Sequence, residues 1–289
     1  MKTHRDPIFE ECAGVVHHDL LAAQQFVIRL DAPECARHAL PGNFVHLQCD
    51  PKRAMRRPFS IMRSDPATGC IDILYKTVGQ GSADLALRKP GDTLQCLGPI
   101  GNTFTLYDRT THPLLLGGGV GIPPMIFLAE TLKVNTRLHP LVIMGSEIPF
   151  PFPTRPSKIL VPDIPEDVIA AMPLLDDWGI ASRLTSLKGY PGCYSGYVHE
   201  LAENWFVNLV QQVQQGVQVF ACGPNRMLEA VAGFCRRHAL PCQVCLEEYM
   251  ACAVGGCAGC VVPYMEDNRV VAMKRVCVEG PVFDAANIF

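Results

Sequence analysis

Four cysteines near the C-terminus carry the strongest chemical signal in this chain: Cys252-x4-Cys257-x2-Cys260-x16-Cys277. Three thiolates on a loop rich in glycine (Gly255, Gly256, Gly259), plus a distant fourth, suit a 2Fe-2S cluster. The glycines let the backbone wrap closely and turn N–H groups toward the sulfurs. The same region offers another metal. Cys242-x2-Cys245 with Cys257-x2-Cys260 outlines a zinc ribbon, with 11 residues between the pairs, a choice that strands Cys252 and Cys277. On spacing alone both ligand sets stay open.

Two glycine segments could cradle phosphates. Leu116-Gly117-Gly118-Gly119-Val120-Gly121-Ile122-Pro123-Pro124 places glycines between a strand and a proline-opened helix, where backbone N–H groups and the helix dipole can meet a pyrophosphate. It is not a G-x-G-x-x-G match, and tight strand-to-helix turns use glycine for packing as well. Gly79-Gln80-Gly81-Ser82 is a second such cradle. Upstream of it lies Arg56-Arg57-Pro58-Phe59-Ser60-Ile61. There an arginine can neutralise a phosphate, an aromatic ring can lie against a flat ligand, and a hydroxyl can bond a ring nitrogen. A late Ala221-Cys222-Gly223-Pro224 ends a strand, and ligands of open parallel sheets bind at such ends.

The elements that must position these residues change character along the chain. Up to about Tyr107, short β-rich runs (Phe26–Leu30, Asn43–Leu47, Ile71–Tyr75) alternate with turns such as Pro41-Gly42 and Pro90-Gly91, the pattern of a small antiparallel barrel. One short helix is expected over Ser82–Leu87, capped by Ser82. From Pro113 the runs Leu114–Leu116, Leu141–Met144 and Val217–Ala221 alternate with helical stretches, 123–132 and Arg226–Arg237 among them. That alternation predicts a doubly wound parallel sheet. The expected division is therefore 1–110, 111–240 and 241–289. The last piece is too small for its own core and needs a metal or cluster as its staple. The segment Pro149–Asp167 is proline-rich and yields no assignment.

Composition narrows the class. The chain has 289 residues, 48% hydrophobic and 18% charged, which is globular rather than disordered. Lys+Arg 25 against Asp+Glu 28 gives a net charge of -3, without the basic excess of a nucleic-acid-coating surface. No apolar run approaches the roughly 20 residues of a membrane span, and Met1-Lys2-Thr3-His4-Arg5-Asp6 lacks the apolar stretch of a signal peptide. The expectation is a cytoplasmic protein. Most of its 14 cysteines, Cys12, Cys49, Cys96 and Cys235 for example, then read as reduced thiols.

Taken in order, these sites resemble the ferredoxin–NADP reductase superfamily, in which a flavin-binding barrel carrying Arg-x-(Tyr/Phe)-Ser precedes a nicotinamide domain that ends in a Cys-Gly-Pro turn. The segments 250–260 (Met250-Ala251-Cys252 through Cys260) and Val276-Cys277-Val278-Glu279-Gly280-Pro281-Val282-Phe283 narrow the resemblance to the electron-transfer subunits of dihydroorotate dehydrogenase B. The resemblance implies an antiparallel FAD-binding barrel, a parallel-sheet nicotinamide domain and a small C-terminal 2Fe-2S segment. It implies that Arg57, Pro58, Phe59 and Ser60 line the flavin, with Ser60 near its N5, and that Gly79, Gly81 and Ser82 hold the FAD pyrophosphate. Gly117, Gly118, Gly119 and Gly121 then face the NAD(H) pyrophosphate and Cys222 the nicotinamide, so Ser60 and Cys222 are the catalytic candidates. Cys252, Cys257, Cys260 and Cys277 become the cluster ligands.

The same resemblance implies a separate FMN-containing subunit that oxidises dihydroorotate in pyrimidine biosynthesis. Electrons would run from it through the cluster and FAD to NAD, because flavin joins two-electron hydride chemistry to one-electron iron chemistry. Two rival readings stand beside this one: a reductase component serving another acceptor, as in sulfide dehydrogenase or transhydrogenase subunits, and a zinc-stapled binding module without enzymatic activity. The region Pro149–Tyr197 is longer and richer in proline than the resemblance implies. Glu147, after the second strand of the nicotinamide domain, would repel a 2′-phosphate and so favour NADH, or is a solvated loop carboxylate, and the choice between NADH and NADPH stays open.

Overall fold

The computed structural model describes residues 8–267 and 269–289, so the Met1–Asp6 stretch read for a signal peptide lies outside the described residues. Two compact units make up the chain. One runs up to Thr103 and includes Leu246–Phe283; the other is Phe104–Cys245 with Asp284–Asn287. Most of the C-terminal cysteine segment thus belongs to the first unit, and its opening residues Cys242–Cys245 to the second.

Seven antiparallel strands form the first unit: β1 Phe9–Leu21, β2 Gln25–Asp31, β3 Phe44–Gln48, β4 Arg57–Ser60, β5 Arg63–Asp65, β6 Cys70–Lys76 and β7 Thr93–Ile100. They lie in the order β4-β3-β7-β1-β2-β6-β5, the half-barrel that the short β-rich runs predict. In β2, Phe26, Ile28 and Leu30 are buried while Val27 and Arg29 are partly exposed, the alternation that lets one strand face build a core. Arg29 donates to both carboxylate oxygens of its cross-strand partner Asp72, at 2.7 and 2.8 Å, which pins the β2–β6 register. Helix α1 (Pro33–His38) follows β2, and the Glu11 carboxylate accepts its first N–H groups, those of Glu34 and Cys35, at 2.9 and 2.8 Å.

Helix α2 corrects the sequence reading. It spans Gln80–Leu85 rather than Ser82–Leu87, with Gly79 as its N-cap. Ser82 stands inside the first turn. Its hydroxyl accepts the Val78 and Gly79 N–H groups at 2.9 and 3.2 Å and donates to the Gly79 carbonyl at 2.9 Å. Serine serves both ends of a capping pair, accepting amides ahead of it when it stands at the N-cap and amides behind it when it stands in the first turn, so the residue type alone does not fix its position.

The second unit carries β8 His112–Gly118, helix α3 Ile122–Leu132, β9 Leu141–Gly145, the short pair β10 Arg155–Pro156 and β11 Ala170–Ala171, helix α4 Pro173–Asp177, and β12 Ala181–Thr185. Helices α5 Val198–Asn208 and α6 Gln211–Gln214, strand β13 Val217–Cys222, helix α7 Asn225–Arg237 and β14 Cys242–Cys245 follow. The five long strands are parallel in the order β12-β9-β8-β13-β14. Connections leave β8 in one direction toward β9 and β12, then return across it toward β13 and β14. Right-handed crossovers therefore put α3 and α4 on one face and α5 and α7, which touch, on the other. The strands are buried almost throughout, as a sheet covered on both sides requires. The proline-rich stretch after β9 supplies the β9-to-β12 crossover, with only β10, β11 and α4 as regular structure.

The chain then passes back to the first unit as β15 Val261–Glu266, β16 Arg269–Arg275 and helix α8 Val276–Glu279, and strand β17 Val282–Asp284 leads out of it, Asp284 already belonging to the second unit. Four of the β15–β16 hairpin's apolar side chains, Val261, Val270, Val271 and Met273, are exposed, so the hairpin contributes little core. What fastens this segment to the barrel is Asn102, just after β7. Its Nδ2 donates to the Glu279 and Val282 carbonyls at 3.1 and 2.8 Å, and its Oδ1 accepts the Val282 N–H at 2.8 Å. The Asn102 N–H adds a bond to the Gly280 carbonyl at 2.7 Å. Next to it, Gly101 has φ +95, and a Cβ there would come within 2.3 Å of Pro281 Cδ, so only glycine allows the approach. Among the described residues no helix is long and apolar enough to cross a membrane.

Replacing Asn102 by Ala removes three side-chain hydrogen bonds and leaves carbonyls of the latch unpaired. At about 1 kcal/mol per bond plus the unpaired groups, the first unit should lose about 2–4 kcal/mol, read as a lower urea midpoint. An Asn102→Ala variant as stable as the parent would remove the latch from the account.

Candidate functional site

The structure brings together the two barrel segments that the sequence reading singled out, Arg57–Ser60 and the start of α2. Arg57, Pro58, Phe59 and Ser60 are β4 itself, all partly exposed. The Arg57 side chain lies directly over Gly81: a Cβ at Gly81 would meet Arg57 Nε at 2.8 Å, while one at Gly79 would meet nothing within 4 Å. Nη1 of Arg57 donates to the Met55 and Arg56 carbonyls at 3.1 and 2.9 Å, which fixes the guanidinium near the start of α2. A fixed cation beside open glycine backbone is the kind of cradle that takes a phosphate. Phe59 packs edge-on to Tyr75 at 5.5 Å, and Tyr75 stacks on Phe26 at 5.3 Å, so an aromatic floor runs under the same strand.

The four cysteines of the spaced motif all belong to this unit, and they gather as two pairs. Cys252 accepts the Cys257 N–H on its Sγ at 3.4 Å, and Cys257 Sγ accepts the Gly259 N–H at 3.4 Å. Burial opposes ionisation of Cys252, yet backbone N–H groups of Val254, Cys257 and Gly256 and the Cys257 thiol outweigh it, drawing this thiol down to about 7. In the second pair, burial and then the hydrogen bond with Cys260 push Cys277 up to about 12. The Val276 N–H donates to the Cys260 carbonyl at 2.9 Å, which keeps α8 against the loop. Ala253 and Ala258 sit at φ 56 and 51 and Gly255 at 80, so the loop closes through three left-handed residues, two of which are not glycine. Strain of about 1–2 kcal/mol per alanine persists only where surroundings enforce it, as they do at functional loops.

A set of two thiols per iron is what a binuclear cluster needs, and soft sulfur with N–H donors aimed at it fits such a group. Among the described residues no three Cys, His, Asp or Glu side chains stand close enough together to hold a metal ion, so the four thiols are gathered only two by two. The zinc-ribbon set is not assembled. Cys242 and Cys245 lie in the regular strand β14, paired with Val219 and Cys222 of β13, and residues three apart on a strand face opposite ways. The Cys242 thiol is engaged by Cys235 of α7, a contact that together with burial holds it well above the usual thiol range.

In the second unit, the glycine run and Cys222 meet at the carboxyl ends of neighbouring strands, with Gly117 of β8 in register with Cys222 of β13. The strand order reverses direction between β8 and β13, which is where open parallel sheets bind nucleotides. The glycines divide by role. A Cβ at Gly121 would lie 2.3 Å from the Cys222 carbonyl, so Gly121 is glycine for close packing, whereas one at Gly118 would meet the movable Met227 Sδ at 2.3 Å. Gly119 alone is open, at φ +55 with nothing within 4 Å. Glu147 follows β9, and its carboxylate accepts the Leu187 N–H at 3.2 Å, which ties together the loops after β9 and β12.

Comparison with known proteins agrees with this arrangement. The family model for the iron-sulfur cluster binding domain of dihydroorotate dehydrogenase B matches residues 247–289, and that for the oxidoreductase FAD-binding domain matches residues 15–105. The dihydroorotate dehydrogenase B (NAD(+)) electron transfer subunit of Geobacillus thermodenitrificans is 31% identical over 97% of this chain and 99% of that protein. The chain belongs to this family. Its counterpart in Geobacillus kaustophilus is 32% identical with the same coverage, and that of Desulforamulus reducens is 29% identical over 91% of this chain and 92% of the relative. Among solved structures, an NADH-dependent reduced ferredoxin-NADP oxidoreductase of flavin-based electron bifurcation shares the fold. It has TM-score 0.75 and 23% identity, covering 96% of this chain and 90% of that one. Phthalate dioxygenase reductase shares the fold with TM-score 0.54 and 18% identity, covering 79% and 64%.

Four residues of this family member escape the motif reading. Asn102 carries no spacing signal. Arg275 and Glu279 do, since they stand four apart with Cys277 between them. The Arg275 Nη2 and Nε donate to Glu279 at 2.9 and 3.3 Å, its backbone N–H does so at 2.8 Å, and its Nη1 donates to the Gly255 carbonyl at 3.1 Å. One guanidinium thus joins the cysteine loop to the helix that carries Cys277. The fourth is His46 on β3, opposite Pro58 of β4 and buried, its ring beside the main chain of Met250 and Arg56 but without a well-formed hydrogen bond on either nitrogen.

Burial, with the charges of Arg56 and Arg57 adding to it, holds the His46 imidazole down to about 4. Its folded value lies below the ordinary value of about 6.5, so the unfolded chain takes up the proton first as pH falls. Stability should therefore drop from about pH 6.5 toward pH 4 and level off below. Between pH 7.5 and 5 the loss should be about 2 kcal/mol, seen in urea unfolding of the parent and smaller in His46→Gln. Equal losses in the two proteins would contradict a neutral buried imidazole.

Proposed function

We propose that this chain is a cytoplasmic electron-transfer subunit that passes electrons between NAD and an FMN-containing, dihydroorotate-oxidising catalytic partner, using FAD on the barrel and a 2Fe-2S cluster on the C-terminal segment. The observation that carries this reading is the gathering of Cys252 with Cys257 and of Cys260 with Cys277, in the same unit as the Arg57-Pro58-Phe59-Ser60 strand. Family membership supports the NAD specificity and the partner. Bound flavin would link hydride exchange with nicotinamide to one-electron exchange with iron.

The roles of the chain's own residues follow. Arg57 and the helix start at Gly79, Gly81 and Ser82, with Gly79 open, bind the FAD pyrophosphate, while Pro58 and Phe59 lie along the ring system and Ser60 offers a hydroxyl near its reacting nitrogen. Gly119 gives a nicotinamide dinucleotide close access to backbone, with Gly117, Gly118 and Gly121 shaping the turn and Cys222 placed at the nicotinamide end. Cys252, Cys257, Cys260 and Cys277 hold the cluster, and Arg275 keeps their two pairs together. Pyrimidine acid–base chemistry has no residue here and belongs to the partner.

Ser60→Ala should keep FAD bound but slow its reduction by NADH in stopped flow by roughly ten- to a hundredfold, the effect of one lost hydrogen bond at a reacting centre. An unchanged rate would take Ser60 out of the site. Cys277→Ser should abolish the iron–sulfur absorbance and electron transfer from the FMN partner to NAD, while NADH oxidation with an artificial two-electron acceptor largely survives. Cys242→Ser is the control and should leave the absorbance intact. Loss of metal in Cys242→Ser with retention in Cys277→Ser would overturn the ligand assignment.

A further inference from the structure

The second unit has a cleft of about 950 Å³ at the amino ends of its parallel strands. Main-chain bonds draw its walls together. The Thr111 and His112 N–H groups both donate to the Gly216 carbonyl at 3.0 Å, and the His139 N–H donates to the Thr111 carbonyl at 2.8 Å. The cleft thus lies where the entries to β8, β9 and β13 meet. Strand β8 runs seven residues from here to Gly118, about 20 Å at the usual strand rise. The opening is therefore at the far end of the sheet from the glycine run and Cys222.

Its lining is one-sided in charge. Arg109 and Arg137 are exposed on it, and among the described residues neither has a carboxylate within ion-pairing distance. The neighbouring Arg237 and His238 differ, being bound by Glu203 at 2.6 and 2.8 Å. His112 and His139 face each other with ring centroids 5.2 Å apart. Glutamines 211, 212 and 215 add amides, and no Asp or Glu lines the cleft. In a protein of net charge -3, two guanidinium groups without counter-charges leave positive charge unanswered in this cleft. Guanidinium forks match phosphate oxygens in pairs, imidazoles and amides donate to the oxygens that remain, and the volume is that of a small-molecule site.

We propose that this cleft binds a polyphosphate anion of nucleotide size, held by Arg109, Arg137 and the His112–His139 pair, as a site separate from that of the reaction's own dinucleotide. The polyphosphate could arrive free or on a nucleoside, and the shared chemistry is the triphosphate group. The test uses the full chain loaded with FAD, in saturating NAD+ so that the dinucleotide site is filled, titrated in a calorimeter with inorganic tripolyphosphate and separately with ATP. Saturable binding of tripolyphosphate at one site per chain is expected. The double variant Arg109→Ser/Arg137→Ser should weaken it at least tenfold while its melting temperature and NAD+ affinity match the parent, since both side chains are exposed. ATP binding tighter than tripolyphosphate assigns the site to a nucleotide, and equal affinities assign it to the free anion; either supports the proposal. Displacement of tripolyphosphate by NAD+, absence of saturable binding, or unchanged affinity in the double variant would overturn it.

Discussion

The cysteine-bearing segment has too little buried apolar surface to hold itself, and its attachment at Asn102 is the contact on which the rest depends. One amide side chain satisfies two carbonyls and one N–H on either side of Gly280-Pro281, and glycine at 101 allows the approach. Cys277 lies only three residues before Gly280, so the fourth thiol takes its position from this contact. Hydrogen bonds of this kind contribute modestly when made and cost more when one partner is left unpaired, which makes the join specific as well as stable.

Outward from that join, each level of structure repeats the same logic of placing donors where charge will reside. The loop around Cys252 and Cys257 turns N–H groups onto sulfur, using left-handed alanines to do so. Arg275 spans from the helix of Cys277 to the Gly255 carbonyl, with Glu279 balancing its charge. On the barrel, Arg57 rests over Gly81, where the backbone is bare. In the second unit the same economy appears as packing: glycine at 121 exists because the Cys222 carbonyl is already there.

Much of this was legible in the sequence, for a physical reason. Metal-binding spacings, a strand-to-helix glycine run and alternating β runs are local patterns, and local patterns survive in a linear string. Cys252, Cys257, Cys260 and Cys277 could be picked out because thiolates that share a cluster must be spaced for it. Contacts between distant segments leave no such trace. Asn102 is an ordinary asparagine after a strand until Glu279 and Val282 arrive beside it. Ser82 was visible as a helix-start residue, but whether it stands before the helix or within its first turn depends on the direction in which its hydroxyl points. Cys242 and Cys245 looked like half of a zinc ribbon because C-x2-C is also what two buried positions on a strand can spell. The crossover after β9 resisted assignment because its prolines suppress the periodicity by which elements are recognised.

The path of the chain has a further consequence for how the protein ages. It leaves the second unit after Cys245, enters the first, and returns at Asp284, so the stretch with the four thiols is anchored at both ends. A segment tethered twice has few conformations to explore when its bonds loosen, and closing it again costs little chain entropy. On the proposed reading, Cys257 is the exposed one of the four thiols, and a cluster lost through it would leave a segment still held at both ends. Repair then becomes a matter of supplying iron and sulfide to a waiting scaffold, rather than of refolding a lost domain.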